Sequence, residues 1–378
     1  MKILLVGEYS RLHNSLKEGL VANGHEVTLI ATGDGFKQFP ADIPLKKYFQ
    51  KGLSKKVKGA WLRLFGIDLA SIMMRGQFMA HKNKLKGYDV VQLINESPLG
   101  IQPKYEKEII SFLKEYNEKL YLLSCGTDHS SISYAKSGNL PYSVLSPYEA
   151  GKITEQQAYP MLKYLRPEYK DLHNFLMENV DGIIASDLDY HLALKDNPKY
   201  KGLIPNPINT NNLAYFPLEL SEKVVIFHGI NRENYYKKGS DFFEQALEKL
   251  AASHGDKIKI ITAESLPYKE YIKSYDKAHI VLDQVYSYDQ GYNALEAMSR
   301  GKVVLTGLAP EFLEHYELQG QQIAINALPR VKYLYEVLMD LVDNPKQLLK
   351  ISKGARAFIL EHHDHMRSAA LYESAWTS

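Results

Sequence analysis

What most constrains this chain is an alternation that runs through it twice: short apolar runs of strand length, separated by longer stretches of helical period. The first series comprises Lys2–Val6, Glu26–Ile30, Val90–Leu93, Leu120–Leu123, Gly182–Ala185 and Leu203–Ile204. Helix-compatible stretches lie between them, of which Glu106–Tyr116 is the clearest. Such alternation predicts a parallel sheet with crossover helices on both faces. The opening reads as a βαβ unit, with Gly7-Glu-Tyr-Ser10 and Asn23-Gly24 as its turns. Pro205-Asn-Pro207, followed closely by Asn209, Asn211 and Asn212, is turn chemistry that stops one unit and links it to the next. The alternation then restarts with Val224–Phe227, a helix over Asp241–Ala252 and Ile258–Thr262. It continues with a helix near Tyr268–Tyr275, Ile280–Leu282, a helix through Asn293–Ser299 and Val303–Thr306. With 378 residues, more than one ordinary core must be built, so the expected fold is two doubly wound parallel-sheet (Rossmann-like) α/β domains facing across a cleft. The expected divisions are 1–205, 206–355 and a mainly helical tail, of which 356–378 forms the final helix. The two halves share element order and no short-period repeat.

Composition narrows the functional classes. A formal net charge of +2 gives no global reason to expect nucleic acid, and no nucleic-acid motif is present, so none is expected as a partner. A single cysteine, Cys125, excludes an intramolecular disulfide framework and fits a reducing compartment. No run approaches the roughly 18 apolar residues of a membrane helix, and the start has no secretory pattern, so a cytoplasmic location is expected. Gly7-Glu-Tyr-Ser-Arg-Leu12 lacks the glycine pattern of a dinucleotide turn, which disfavours a dehydrogenase. The 27 tyrosines suit carbohydrate or interfaces, although half-buried packing accounts for most of them.

Two segments of the second half can carry chemistry. His228-Gly-Ile-Asn-Arg232 with Lys237-Lys238-Gly239 follows the first strand and precedes a helix. Ligands of parallel sheets gather beyond the carboxyl ends of strands, and two cations there suit a diphosphate whose charge grows as it leaves. Arg232 offers a two-oxygen grip and Lys238 a point charge. The same residues also read as a charged surface loop with a glycine turn. The second segment, Tyr288-Asp-Gln-Gly-Tyr-Asn293-Ala-Leu-Glu296-Ala-Met, runs from a polar loop into a helix. Gly291 permits close backbone approach, and free amides at the helix start favour an anion. Glu296 reads either as a ligand of ribose hydroxyls or as a surface glutamate.

In order and spacing these pieces resemble the donor half of GT-B glycosyltransferases, particularly the retaining family 4. The resemblance rests on Gly229, Arg232, Lys238-Gly239 and Gly291…Leu295-Glu296-Ala-Met…Gly301, together with Gly24-His25-Glu26-Val27, the Pro205-Asn206-Pro207 hinge and the tail around Glu361-His-His-Asp-His365. It implies that the tail helix crosses back to the first domain. It also implies that Arg232 and Lys238 bind the diphosphate of a UDP- or GDP-sugar, that Glu296 binds the ribose, and that Thr262–Pro267, with Glu264, lies near the base. Gly229, Gly291, Tyr292 and Asn293 would complete the donor site. The family carries two glutamates with seven residues between them, and here Tyr288 stands at the first. Asp289 would then supply the missing carboxylate to the sugar, or Gln290 and backbone amides the contact. The implied activity is transfer of a hexose-like sugar, without a bound metal or permanent cofactor, to a glycan or lipid-linked hydroxyl in surface polysaccharide or glycolipid synthesis. A nucleotide-sugar 2-epimerase and an inactive nucleotide-sugar-binding protein are the alternatives.

The first half would face the acceptor. Gly7 and Glu8 end the first strand, and Ser124-Cys-Gly126-Thr-Asp128-His129 ends a later one. Asp128 or His129 would orient or deprotonate a hydroxyl, or contact the transferred sugar, while Asp128 reads rather more readily as a helix cap. In a retaining transfer the leaving phosphate takes the acceptor proton, leaving most of the catalysis to Arg232 and Lys238. Residues 43–67 hold seven cations and no acid, interleaved with Tyr48, Phe49, Trp61 and Phe65. That pattern suits a peripheral contact with an anionic membrane on its inner face, or a solvated basic surface. Glu361-His-His-Asp-His365 does not space a metal set on one helical face, and Cys125 reads as a packed small residue.

Overall fold

A computed structural model describes residues 1–34, 38–264, 273, 275–318 and 322–378. The first half forms a seven-stranded sheet from β1 (Lys2–Val6), β2 (Glu26–Ala31), β3 (Ile43–Pro44), β4 (Val90–Leu93), β5 (Lys119–Ser124), β6 (Gly182–Ala185) and β7 (Tyr200–Leu203). The second forms a five-stranded sheet from β8 (Val224–Ile230), β9 (Ile258–Glu264), β10 (Ile280–Leu282), β11 (Val303–Thr306) and β12 (Ile325–Asn326). The orders are β3-β2-β1-β4-β5-β6-β7 and β12-β11-β10-β8-β9, and every paired strand runs parallel. All four residues of β4, β6 and β11 are buried, as sheets covered by helices on both faces require.

These orders fix where ligands can bind. The first sheet winds one way from β1 to β2 and β3, and the other way from β4 onward, so its switch point lies between β1 and β4. The second switches between β8 and β10. In open α/β sheets the crevice forms there, outside the carboxyl ends of the strands.

Several boundaries differ from the sequence expectation. His228, Gly229 and Ile230 are strand residues rather than loop, because β8 pairs with β9 over its whole length, out to Ile230 opposite Glu264. Leu203 ends β7, so Ile204 lies beyond it. The helix expected from Glu106 begins at Pro103, where proline's fixed φ suits the first turn. Apart from Lys273 and Tyr275, the helix expected near Tyr268–Tyr275 lies outside the described residues.

The chain returns to its first half at the end. The Pro345–His362 helix stops at His363, whose Nδ1 is 2.9 Å from the Asn206 carbonyl. Asp364 caps the next helix, His365–Thr377, by accepting from the Met366 and Arg367 amides. That helix packs on Leu12–Ala22 so closely that a Cβ at Gly19 would sit 2.2 Å from the His365 carbonyl oxygen. Trp376 is buried beneath the first sheet, donating from Nε1 to Gln92 at 3.2 Å, while its carbonyl accepts from Lys119 and Tyr121, each at 2.8 Å.

Candidate active site

At the second switch point, buried Asp283 follows β10 and organises the surroundings. Its Oδ1 accepts from Lys238 Nζ at 3.0 Å and from Asn293 Nδ2 at 3.1 Å, and its Oδ2 accepts from Thr306 Oγ1 at 3.1 Å. Lys238 is brought there by Gly239, whose φ of +71° and whose position, with a Cβ only 2.7 Å from Val285, admit no side chain without strain. Arg232, in the short turn after β8, lies in the open. Its Nε and Nη2 form a two-point bond to Glu264 at 2.7 and 2.6 Å, and its guanidinium stands 5.1 Å from the Tyr235 ring centroid. The Arg232 hydrogen bond holds the Glu264 carboxyl below its ordinary value. Each predicted diphosphate cation is thus paired with a carboxylate, Lys238 with buried Asp283 and Arg232 with exposed Glu264. Of the segment Thr262–Pro267, residues 262–264 are described and 265–267 lie outside the described residues.

The loop before Gly291 is placed differently from the expectation. Asp289 is buried, and its two oxygens accept backbone amides, from Leu188 at 2.9 Å and from Gln290. Gln290 donates to the Gly307 carbonyl at 2.8 Å, and its Oε1 is buried without a partner. The Tyr292 hydroxyl donates to the Pro207 carbonyl at 2.7 Å and lies 2.6 Å from Ser15 Oγ. Asp289, through Leu188, and Tyr292, through Ser15, tie the halves together, while Gln290 anchors the loop within the second half. Tyr288 stacks on Tyr142, with centroids 5.1 Å apart and planes 20° apart, and donates to the Tyr142 carbonyl. Asp189 accepts from Ser287 Oγ and the Tyr288 amide. Burial pushes Asp189 up to about 6, Asp289 to about 7 and Asp187 well above the carboxylate range. Gly291 precedes the Tyr292–Ser299 helix, in which Glu296 sits half-buried.

At the first switch point Gly7 follows β1 with φ +88°, where a Cβ would strike Ile94 Cγ2 at 2.4 Å. Glu8 is buried beside it. Its Oε2 accepts from the amide and side chain of Asn14 at 2.9 and 2.6 Å, while Oε1 is buried with no partner. Burial, partly offset by the Asn14 bonds, pushes its carboxyl up to about 7.

Asp128 is a cap rather than an acceptor ligand. One oxygen accepts from Ser131 N at 2.7 Å, closing a capping box, and the other from Ser124 Oγ. His129 has Nδ1 2.8 Å from the Tyr164 carbonyl, so Nδ1 carries the proton and Nε2, 3.4 Å from Ser133 Oγ, is left as a base. Two neighbours escaped the sequence reading. Glu96, buried after β4, accepts from the His129 amide at 3.1 Å and pairs with His173 Nδ1 at 2.6 Å. Burial pushes Glu96 up, and the Glu96 hydrogen bond raises His173 against the opposing effect of burial. The position of Asn95-Glu96-Ser97 directly after a strand was a usable signal. Asp283, directly after the strand Ile280–Leu282, carried the same signal, whereas nothing local marks His173, in mid-helix. Among the described residues no group of three His, Cys, Asp or Glu is placed to hold a metal ion.

No protein-family model matches the chain, and no curated protein matches it. Solved structures do. Sucrose-phosphate synthase from Thermosynechococcus elongatus matches with a TM-score of 0.62 at 14% identity, over 100% of this chain and 98% of that one. Anabaena Alr3699/HepE in complex with UDP and glucose matches at 0.59 and 12% identity, over 100% and 99%. A putative UDP-N-acetylglucosamine 2-epimerase from Listeria monocytogenes matches at 0.52 and 12%, over 99% and 94%. At such identities the likeness concerns the fold, which is the GT-B arrangement of two parallel-sheet α/β halves.

Proposed function

We propose that this protein is a glycosyltransferase that binds a UDP-sugar at the second switch point and transfers the sugar to a hydroxyl presented by the first half. The observation that carries the reading is the pairing of Lys238 with buried Asp283 and of Arg232 with Glu264 around one strand-end crevice. A diphosphate entering there exchanges with the exposed Glu264 carboxylate for Arg232, while Asp283 keeps Lys238 aimed. As the sugar–phosphate bond breaks, negative charge grows on the leaving diphosphate, and the two cations stabilise it more than they stabilise the ground state. Glu296 accepts from the ribose hydroxyls. Glu8, whose Oε1 lacks a partner and whose carboxyl is poised near neutrality, receives the acceptor hydroxyl. With no dedicated base required, the leaving phosphate takes the acceptor proton and anomeric configuration is retained. We assign residues 1–205 to the acceptor side, 206–355 to the donor side and 356–378 to the returning helix. Uridine is favoured over guanosine because Alr3699/HepE was solved with UDP.

Titration with UDP and GDP, followed by transfer assays across glycan and lipid-linked acceptors, tests this reading. Arg232→Ala and Lys238→Ala should each lower transfer by about two orders of magnitude while leaving the fold intact. Unchanged turnover in both variants sinks the assignment.

A 2-epimerase is the second reading, supported by the likeness of fold to the putative UDP-N-acetylglucosamine 2-epimerase from Listeria monocytogenes. Accumulation of an epimer from the nucleotide sugar alone, with no acceptor present, would decide for it.

A further inference from the structure

The Gly52–Phe65 helix is built the wrong way round for a protein in water. A surface helix ordinarily turns its apolar stripe to the core and its charges outward. Here no residue of the helix is buried, and the half-buried positions are Lys58 and Gly59. Lys58 Nζ lies 3.9 Å from the Asp68 carboxylate that caps the following helix, Leu69–Ala80. Leu53, Val57, Trp61 and Leu64, spaced by four, four and three residues, share one face. That face points away from the protein: Leu53 and Leu64 are each 76% exposed, and Val57 and Trp61 are exposed as well.

We propose that this helix docks the protein on an anionic lipid bilayer, lying in the interface with its apolar face at the acyl boundary and its cations among the headgroups. Charge complementarity selects that occupant. Residues 43–67 carry seven cations and no acid, whereas the whole chain is only +2, so the rest of the molecule is net acidic and is repelled by the same surface. A second copy of the chain would bring cations against cations. An interfacial helix of this kind combines apolar burial with attraction to anionic lipid and needs no membrane span. Among the described residues no helix is long and apolar enough to provide one.

The test is sedimentation with vesicles of phosphatidylcholine alone and of phosphatidylcholine mixed with phosphatidylglycerol, read together with tryptophan emission. The chain has two tryptophans and Trp376 is buried, so a shift on binding reports Trp61. Pelleting with the anionic vesicles only, a blue shift of emission and release by salt are expected. Because all four side chains are exposed, the variants Leu53→Glu with Leu64→Glu and Lys55→Ser with Lys56→Ser should fold. The first should abolish the blue shift, and the second should weaken binding about 25-fold, near fivefold per cation. No pelleting with anionic vesicles overturns the proposal, as does undiminished binding by the Leu53→Glu, Leu64→Glu variant. Self-association of the wild type that this variant abolishes, with no vesicle binding, makes the face a contact between copies and overturns it too. The measurement uses neither donor nor acceptor, so its failure is separable from failure of the sugar-transfer reading.

Discussion

Single residues decide the chemistry here through partners distant in the chain. Lys238 and Arg232 stand out in the sequence as cations after a strand, yet their charge is balanced by Asp283 and Glu264, about 45 and 32 positions away. A linear reading cannot supply those partners, because they are set by which strands lie side by side. The Arg232–Glu264 pairing leads to a specific expectation. Glu264→Gln removes the competing carboxylate and should tighten UDP binding severalfold, whereas Arg232→Ala should weaken it about tenfold or more. Isothermal titration distinguishes the two, and weaker binding in Glu264→Gln would show that the glutamate serves the nucleotide directly. Asp128 illustrates the opposite outcome. Its two readings, cap and acceptor ligand, were both legible, and only the Ser131 and Ser124 hydrogen bonds chose between them.

At the scale of elements, the informative contact is between the helix Leu188–Leu194 and the loop 287–290. Asp189 bonds across to Ser287 and Tyr288 while Asp289 bonds back to Leu188, so each half holds the other's backbone. Asp187, Asp189 and Asp289 crowd there, with all three carboxyls raised chiefly by burial. A raised carboxyl holds its proton more tightly folded than unfolded. Its contribution is therefore complete below the unfolded value near 4 and is lost as pH rises through 6 to 7 and above. Glu8, raised to about 7, adds in the same sense. Thermal melts should accordingly show less stability at pH 8 than at pH 5, by about 1 to 3 kcal/mol for a single carboxyl raised to 6 or 7. Asp187→Asn removes one of the three crowded carboxyls at nearly the same side-chain volume and should narrow that drop. A drop of unchanged size in the variant would locate its source elsewhere. None of this clasp was legible in sequence, where Asp289 looked like a sugar ligand, because a carboxylate on a loop carries no mark of the surface that will cover it.

At the scale of the whole molecule, the returning helix makes one body of two halves. Trp376 is buried against the first sheet although it lies at the far end of the chain from β1. Trp376→Ala should cost about 3–5 kcal/mol, read by chemical denaturation. A loss well under 1 kcal/mol would mean that the tail merely rests on the sheet. The sequence by itself determined the two parallel sheets, their order of elements and the strand-end position of the cations, since apolar period and turn chemistry are local properties written residue by residue. Only the tertiary structure decided that Asp283 and Glu264 hold those cations, that Asp289 and Tyr292 join the halves, and that the Gly52–Phe65 helix turns its apolar face outward. Those facts depend on which surfaces meet. Burial and pairing arise between segments, and a linear pattern fixes what each segment can bury without fixing what it is buried against.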